Sequence, residues 1–153
     1  MKIIRNLTII AITTLTVTSP VWAQQVTSRP NVSGGMDYYE NGRFIGRSVR
    51  NVNGGQTFYD ANGKVIGNSS RNITGGQNFS TANGTPAGRS TPNVSGGNNY
   101  FNANSAPTGR STPNANGGKT YFDANGKPIG QSTPNVLGGK NYTPSKPTFF
   151  EKE

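Results

Sequence analysis

"TFYDANGKVIGNSSRNITGG", Thr57 to Gly76, returns as "TYFDANGKPIGQSTPNVLGG", Thr120 to Gly139. Gly-Gly pairs open at Gly34, Gly54, Gly75, Gly96, Gly117 and Gly138, so the steps are 20, 21, 21, 21 and 21 residues. A fixed period of this size marks a repeat architecture, each copy being one supersecondary unit. Within a copy, Asn62-Gly63 stands between apolar pairs, a strong hairpin signal. Read as a two-residue loop with φ > 0 at both positions, it sets Phe58 against Gly67 and Tyr59 against Ile66. Pro86, Pro107 and Pro128 replace Val65 in later copies, at a non-hydrogen-bonded site of the expected hairpin, so the returning strand is expected to be an edge there or to pair outward only beyond it. The spacing predicts two strands and two turns per copy. The expected fold is all-β: about five 21-residue β-hairpin repeats and a sixth partial copy, arranged as a solenoid or an open strip.

Composition bounds the reading. The 153 residues suffice for one domain, carry a formal charge of +9, and contain no Cys and no His. Disulfides, thiolate chemistry and the commonest general base are therefore excluded. Leu, Ile, Val and Phe are sparse while Gly and Pro are abundant, a composition that also admits partial disorder. Residues 1–23 read as a secretory signal peptide: Lys2 and Arg5, an apolar run from Leu7 to Val17, then "VWA" before the expected cleavage. That run is too short to span a bilayer. The organisation expected is signal peptide 1–23, repeat region 24–141 and tail 142–153, with an exported product, periplasmic or at the cell surface, and no transmembrane segment once the leader is removed.

"YDANGK" (Tyr59 to Lys64) and "FDANGK" (Phe122 to Lys127) resemble the YD repeat of Rhs-type surface and toxin proteins. The aromatic-turn-Gly rhythm is also similar to that of cell-wall-binding hairpin repeats, although the only Trp is Trp22 in the leader. The resemblance implies a β-hairpin strip in an envelope or secreted setting. It does not extend to the toxin shell, which needs a far longer chain.

Two residue classes recur in phase and are the candidates for ligand binding. The basic set is Arg43, Lys64 and Lys127 after the turn, and Arg47, Arg89 and Arg110 after the next glycine. Such residues solubilise a surface or attract anionic polymers. The aromatic set is Tyr59, Tyr100 and Tyr121, which either fill a thin core or offer rings for stacking. The position before the turn is Glu40, Asp60, Thr81, Asn102 and Asp123; all but Glu40 carry a side chain that can accept from the turn backbone. That favours a turn-former over a calcium ligand or a catalytic acid. No catalytic residue, metal site or cofactor is expected. The function expected is a non-enzymatic binding or structural strip for an anionic envelope polymer or glycan, with nucleic acid the lesser partner. The alternatives are a self-associating cross-β surface protein and a disordered chain that folds on binding.

Overall fold

The computed structural model describes residues 25–145, so the leader expected over 1–23 and the last residues of the tail lie outside the described residues. The hairpins run β1 (Val26–Pro30), β2 (Met36–Glu40), β3 (Arg43–Arg50), β4 (Gln56–Asp60), β5 (Val65–Arg71) and β6 (Gln77–Thr81). They continue as β7 (Pro86–Pro92), β8 (Asn98–Asn102), β9 (Pro107–Pro113), β10 (Lys119–Asp123), β11 (Pro128–Pro134) and β12 (Lys140–Pro144). Each strand pairs antiparallel with its chain neighbours, and β1 pairs with β12. Twelve strands therefore close into a barrel, with no helix among the described residues.

Closure corrects the expected solenoid or open strip. The sixth copy is not partial. Its first strand is β12 and its second is β1, supplied from the other end of the chain. Val26 pairs with Tyr142 and Thr27 with Asn141. The repeat region also reaches Pro144 rather than ending at residue 141, because Tyr142 and Thr143 belong to β12.

The turns explain the register. The Asp60 N–H donates to the Lys64 carbonyl (2.9 Å) and the Gly63 N–H to the Asp60 carbonyl (3.1 Å), so Ala61, Asn62 and Gly63 form a three-residue loop. Only Gly63 takes positive φ (+81°). This is a type I turn followed by a left-handed residue, which forces a bulge. Phe58 faces Gly67 as the sequence predicts, but Tyr59 faces Val65, and Ile66 is the extra residue. Ile66 does not share a face with Tyr59; it packs on the Tyr38–Phe58 core, as Ile45 does. The two-residue turn expected in every copy occurs in β2–β3, where Asn41 (φ 50°) and Gly42 (φ 80°) link Glu40 to Arg43. That is the copy one residue short. The turn-former reading holds elsewhere: Asp60 Oδ1 accepts from the N–H groups of Asn62 and Lys64, both at 2.9 Å, and Asn102 and Asp123 do likewise.

The opposite rim repeats this device. Asn93 Oδ1 accepts from Ser95 N–H (3.2 Å) and Gly97 N–H (2.9 Å), while its Nδ2 donates to the Ser111 carbonyl of the next unit (3.0 Å). The Ser111 hydroxyl in turn accepts from the Asn98 N–H (3.1 Å). A Cβ on Gly97 would collide with that same Ser111 carbonyl, which is why a second glycine follows the first. Ser28, Ser48, Ser69, Ser90, Ser111 and Ser132 are all buried in these clamps. The set closes on itself: Asn135 Nδ2 donates to the Ser28 carbonyl and Lys140 N–H to Ser28 Oγ, both at 2.9 Å. Each such bond contributes about 1 kcal/mol net. In a chain this poor in aliphatic residues, the ring of clamps takes on much of the work of a core.

Candidate binding surfaces of the barrel

Side chains alternate across a strand, so the aromatic pair of each copy is split between two faces. The first member turns inward. Tyr38, Phe58 and Tyr100 are buried, and Phe79, Tyr121 and Tyr142 occupy the same position in their strands. Tyr100 Oη lies 3.2 Å from Ser111 Oγ. Burial pushes the Tyr38 and Tyr121 hydroxyls above the usual phenol value, opposed in each case by a bond to Ser48 or Ser132. Burial pushes Tyr142 highest, and the neighbouring Tyr121, Tyr38 and Tyr100 add to the shift. The inner ring thus holds four tyrosines, Tyr38, Tyr100, Tyr121 and Tyr142, and two phenylalanines, Phe58 and Phe79. At the Gly-Gly end of this interior, Lys119 is held below the usual ammonium value by burial and then by the nearby Lys140.

The second member of the pair turns outward, and there it meets arginine. The Arg47 guanidinium carbon lies 5.6 Å from the Tyr59 ring centroid, Arg89 4.8 Å from Phe101, and Arg110 4.7 Å from Phe122. Arg29 stacks on Tyr39 at 4.5 Å. Arg47, Arg89 and Arg110 are the direct cross-strand partners of their rings. In the remaining two units both members change together: Asn68 faces Ser80, and Gln131 faces Thr143. Ring and guanidinium are present together or absent together, although the direct partner of Tyr39 is Thr27 and its guanidinium comes from Arg29, two residues further along β1. Such a pair contributes about 0.5–1 kcal/mol at an exposed site and leaves guanidinium edges for other acceptors, as where Arg89 Nη1 donates to Ser105 Oγ (2.7 Å).

The nine candidate residues therefore fall into three places. Arg47, Arg89, Arg110 and Tyr59 share the outer wall. Arg43, Lys64 and Lys127 sit beside the turns at the Asn-Gly rim, among the acids Glu40, Asp60 and Asp123. Tyr100 and Tyr121 face the interior, so they do not join Tyr59 in one exposed row. Arg29, Tyr39, Phe101 and Phe122 complete the outer stacks and were not singled out from sequence. For three of the four stacks the signal was a twelve-residue spacing, Arg47 to Tyr59, Arg89 to Phe101 and Arg110 to Phe122, against Asn68 to Ser80 and Gln131 to Thr143; Arg29 and Tyr39 stand ten apart, with Thr27 at the twelve-residue position.

These features define a closed antiparallel barrel with a phenol-lined interior and an arginine-aromatic outer wall. The X-ray structure of a protein from Arabidopsis thaliana is similar to it, with a TM-score of 0.62 over 82% of each chain at 9% identity. That likeness concerns the fold alone. No protein-family model matches the chain, and no curated protein matches it in sequence.

Proposed function

We propose that the chain is an exported, non-catalytic barrel of the cell envelope whose outer wall binds an anionic polymer, with acidic glycan as the favoured class. The paired presence of arginine and aromatic ring on the outward face carries this reading. A ring with a guanidinium against it presents an apolar face for a sugar and charged donors for a carboxylate or phosphate on the same patch. The pairs also have a layout. Units β1–β2 and β3–β4 form one facet, units β7–β8 and β9–β10 another, and the units carrying Asn68–Ser80 and Gln131–Thr143 separate them. Two facets on opposite sides of one barrel suit a protein that bridges polymer chains. The export reading rests on the leader at 1–23, and the envelope setting on the likeness of "YDANGK" to YD repeats.

Closure favours this over the fibre-forming alternative. Cross-β growth needs an unpaired strand edge, and a barrel in which β1 pairs with β12 presents none.

The test is binding of the purified protein to an acidic and to a neutral polysaccharide across a salt series. Replacing Arg47, Arg89 and Arg110 with Gln should weaken binding to the acidic polymer by about tenfold or more and flatten its salt dependence. Replacing only Arg89 and Arg110 should abolish precipitation of the polymer while preserving soluble binding. An affinity unchanged by the triple substitution and flat from low to high salt would refute the proposal.

A further inference from the structure

Both rims of the barrel are built on the same turn. At each, an Asx residue accepts from two backbone N–H groups and a left-handed residue, usually glycine, ends the loop. The residue after the Asx is free of any structural duty in this geometry. At the Asn-Gly rim it is Ala61, Ala103 and Ala124, with Ala82 at the same place after Thr81. At the Gly-Gly rim it is Val32, Val52, Ile73, Val94 and Val136, every one fully exposed, with Leu137 half-exposed beside the last and Ala115 at the same position in the remaining loop. The turn does not require these side chains, since alanine serves at the other end. They also cover nothing within the barrel. Five β-branched tips in the six loops of one rim, interrupted only at Ala115, are directed away from the wall, the arrangement that can meet a single flat surface at once.

The charges around this ring select the surface. Arg50 and Arg71 are exposed at the ends of β3 and β5 on this rim, and Lys119 and Lys140, half-buried, stand at the mouth of the interior where β10 and β12 begin. The six loops contain no acid, and the nearest carboxylate, Asp37, already accepts from Asn31 Nδ2 (3.2 Å). A second copy docked crown to crown would bring like charges together. An anionic surface would not. We propose that the Gly-Gly rim seats the barrel on a bilayer bearing anionic phospholipid headgroups, with the valine and isoleucine tips entering the headgroup boundary, Arg50 and Arg71 holding phosphates, and Lys119 and Lys140 adding positive potential at the same end. The barrel stands on the membrane rather than across it. Its strands have five to eight residues and carry Arg47, Arg89 and Arg110 outward, where a spanning strand needs about 9–11 residues and an apolar band.

The absence of cysteine makes the test direct in the full chain. Val94→Cys and Ala103→Cys each give one thiol, at opposite rims, for an environment-sensitive dye. With vesicles of phosphatidylcholine and phosphatidylglycerol, the dye at 94 should shift to the blue and the dye at 103 should not. Vesicles of phosphatidylcholine alone should produce a much smaller shift at 94. Arg50→Gln with Arg71→Gln should raise the lipid concentration at half-saturation by about tenfold. Replacing Val32, Val52, Ile73 and Val136 with Ser should do the same without altering the circular dichroism spectrum. Equal shifts at both rims, no shift at 94, or a shift at 94 that grows with protein concentration in the absence of lipid would overturn the proposal, the last assigning the crown to a second copy.

Discussion

Asn135 offers a sharp test of ring closure, because its clamp reaches across the two ends of the chain. Asn93 and Asn135 hold the same kind of turn. Asn93 accepts from two backbone N–H groups and donates to Ser111, and Asn135 accepts from Leu137 and Gly139 (3.0 Å each) and donates to Ser28 at 2.9 Å. Replacing either with Ala removes three bonds, a loss of about 3 kcal/mol at roughly 1 kcal/mol each. Aspartate separates the components. Asp keeps the acceptor and is a native turn-former at Asp60 and Asp123, so the loop survives. The Nδ2 donor becomes an oxygen aimed at the Ser28 carbonyl. In the closed barrel, Asn135→Asp should therefore cost about 2 kcal/mol, as Asn93→Asp should, and lower the Tm by about 6 °C. In an open array Ser28 would not be there, and Asn135→Asp would be neutral. Thermal unfolding followed by circular dichroism measures both variants in parallel. A Tm unchanged by Asn135→Asp beside a clear drop for Asn93→Asp would refute closure.

Two further outcomes follow from the geometry. Ser105 holds the left-handed position at φ 65° that glycine holds in the neighbouring copies, so Ser105→Gly should relieve about 1 kcal/mol of backbone strain. Loss of the exposed Arg89 Nη1–Ser105 Oγ bond (2.7 Å) should offset part of this, and the net gain should read as a small rise in the urea midpoint. The inner phenols predict an alkaline limit. Tyr38, Tyr121 and Tyr142 have raised values when folded, so the unfolded chain ionises first; the stability that their neutrality contributes is complete below about pH 10 and is lost as pH rises beyond it. Denaturation midpoints should hold steady up to that point and fall steeply above it, together with the ultraviolet signature of tyrosinate. A gradual decline beginning near neutrality would contradict the buried ring.

Much of the unit was legible in the sequence, and little of the whole. The Asn-Gly turn, the Phe58–Gly67 pairing and the turn role of Asp60 follow from local chemistry. The Tyr59 register was missed because a three-residue loop and a two-residue loop share the same Asn-Gly ending, and only the bulge at Ile66 tells them apart. Closure was missed for a different reason. Ser28-Arg29-Pro30-Asn31-Val32-Ser33-Gly34-Gly35 matches Ser90-Thr91-Pro92-Asn93-Val94-Ser95-Gly96-Gly97 in phase, so β1 was visible as a returning strand. Nothing local says which strand it returns to, since that depends on how the twist of six units adds up. The outer stacks were hidden because residues twelve apart become neighbours only once the register is fixed.

The split sixth unit turns copy number into an integer condition. In a linear array a duplicated or deleted copy leaves every other interface as it was. Here the chain is a loop of wall with a single cut, and the cut falls where β12 meets β1. Removing Pro92 to Thr112 would not give a shorter version of the same object; it would demand a ten-strand ring with its own tilt and stagger. Moving the cut, by contrast, changes nothing in the wall. A chain beginning at Val65 and ending at Asp60, with the present ends joined by a short linker, would present the same twelve strands in the same cyclic order. Gain or loss of whole copies is thus heavily constrained, while the position of the ends is free. The described wall begins at Val26 and ends at Pro144, both at the Asn-Gly rim, so the cut in the ring and the crown of valines lie at opposite ends of the barrel.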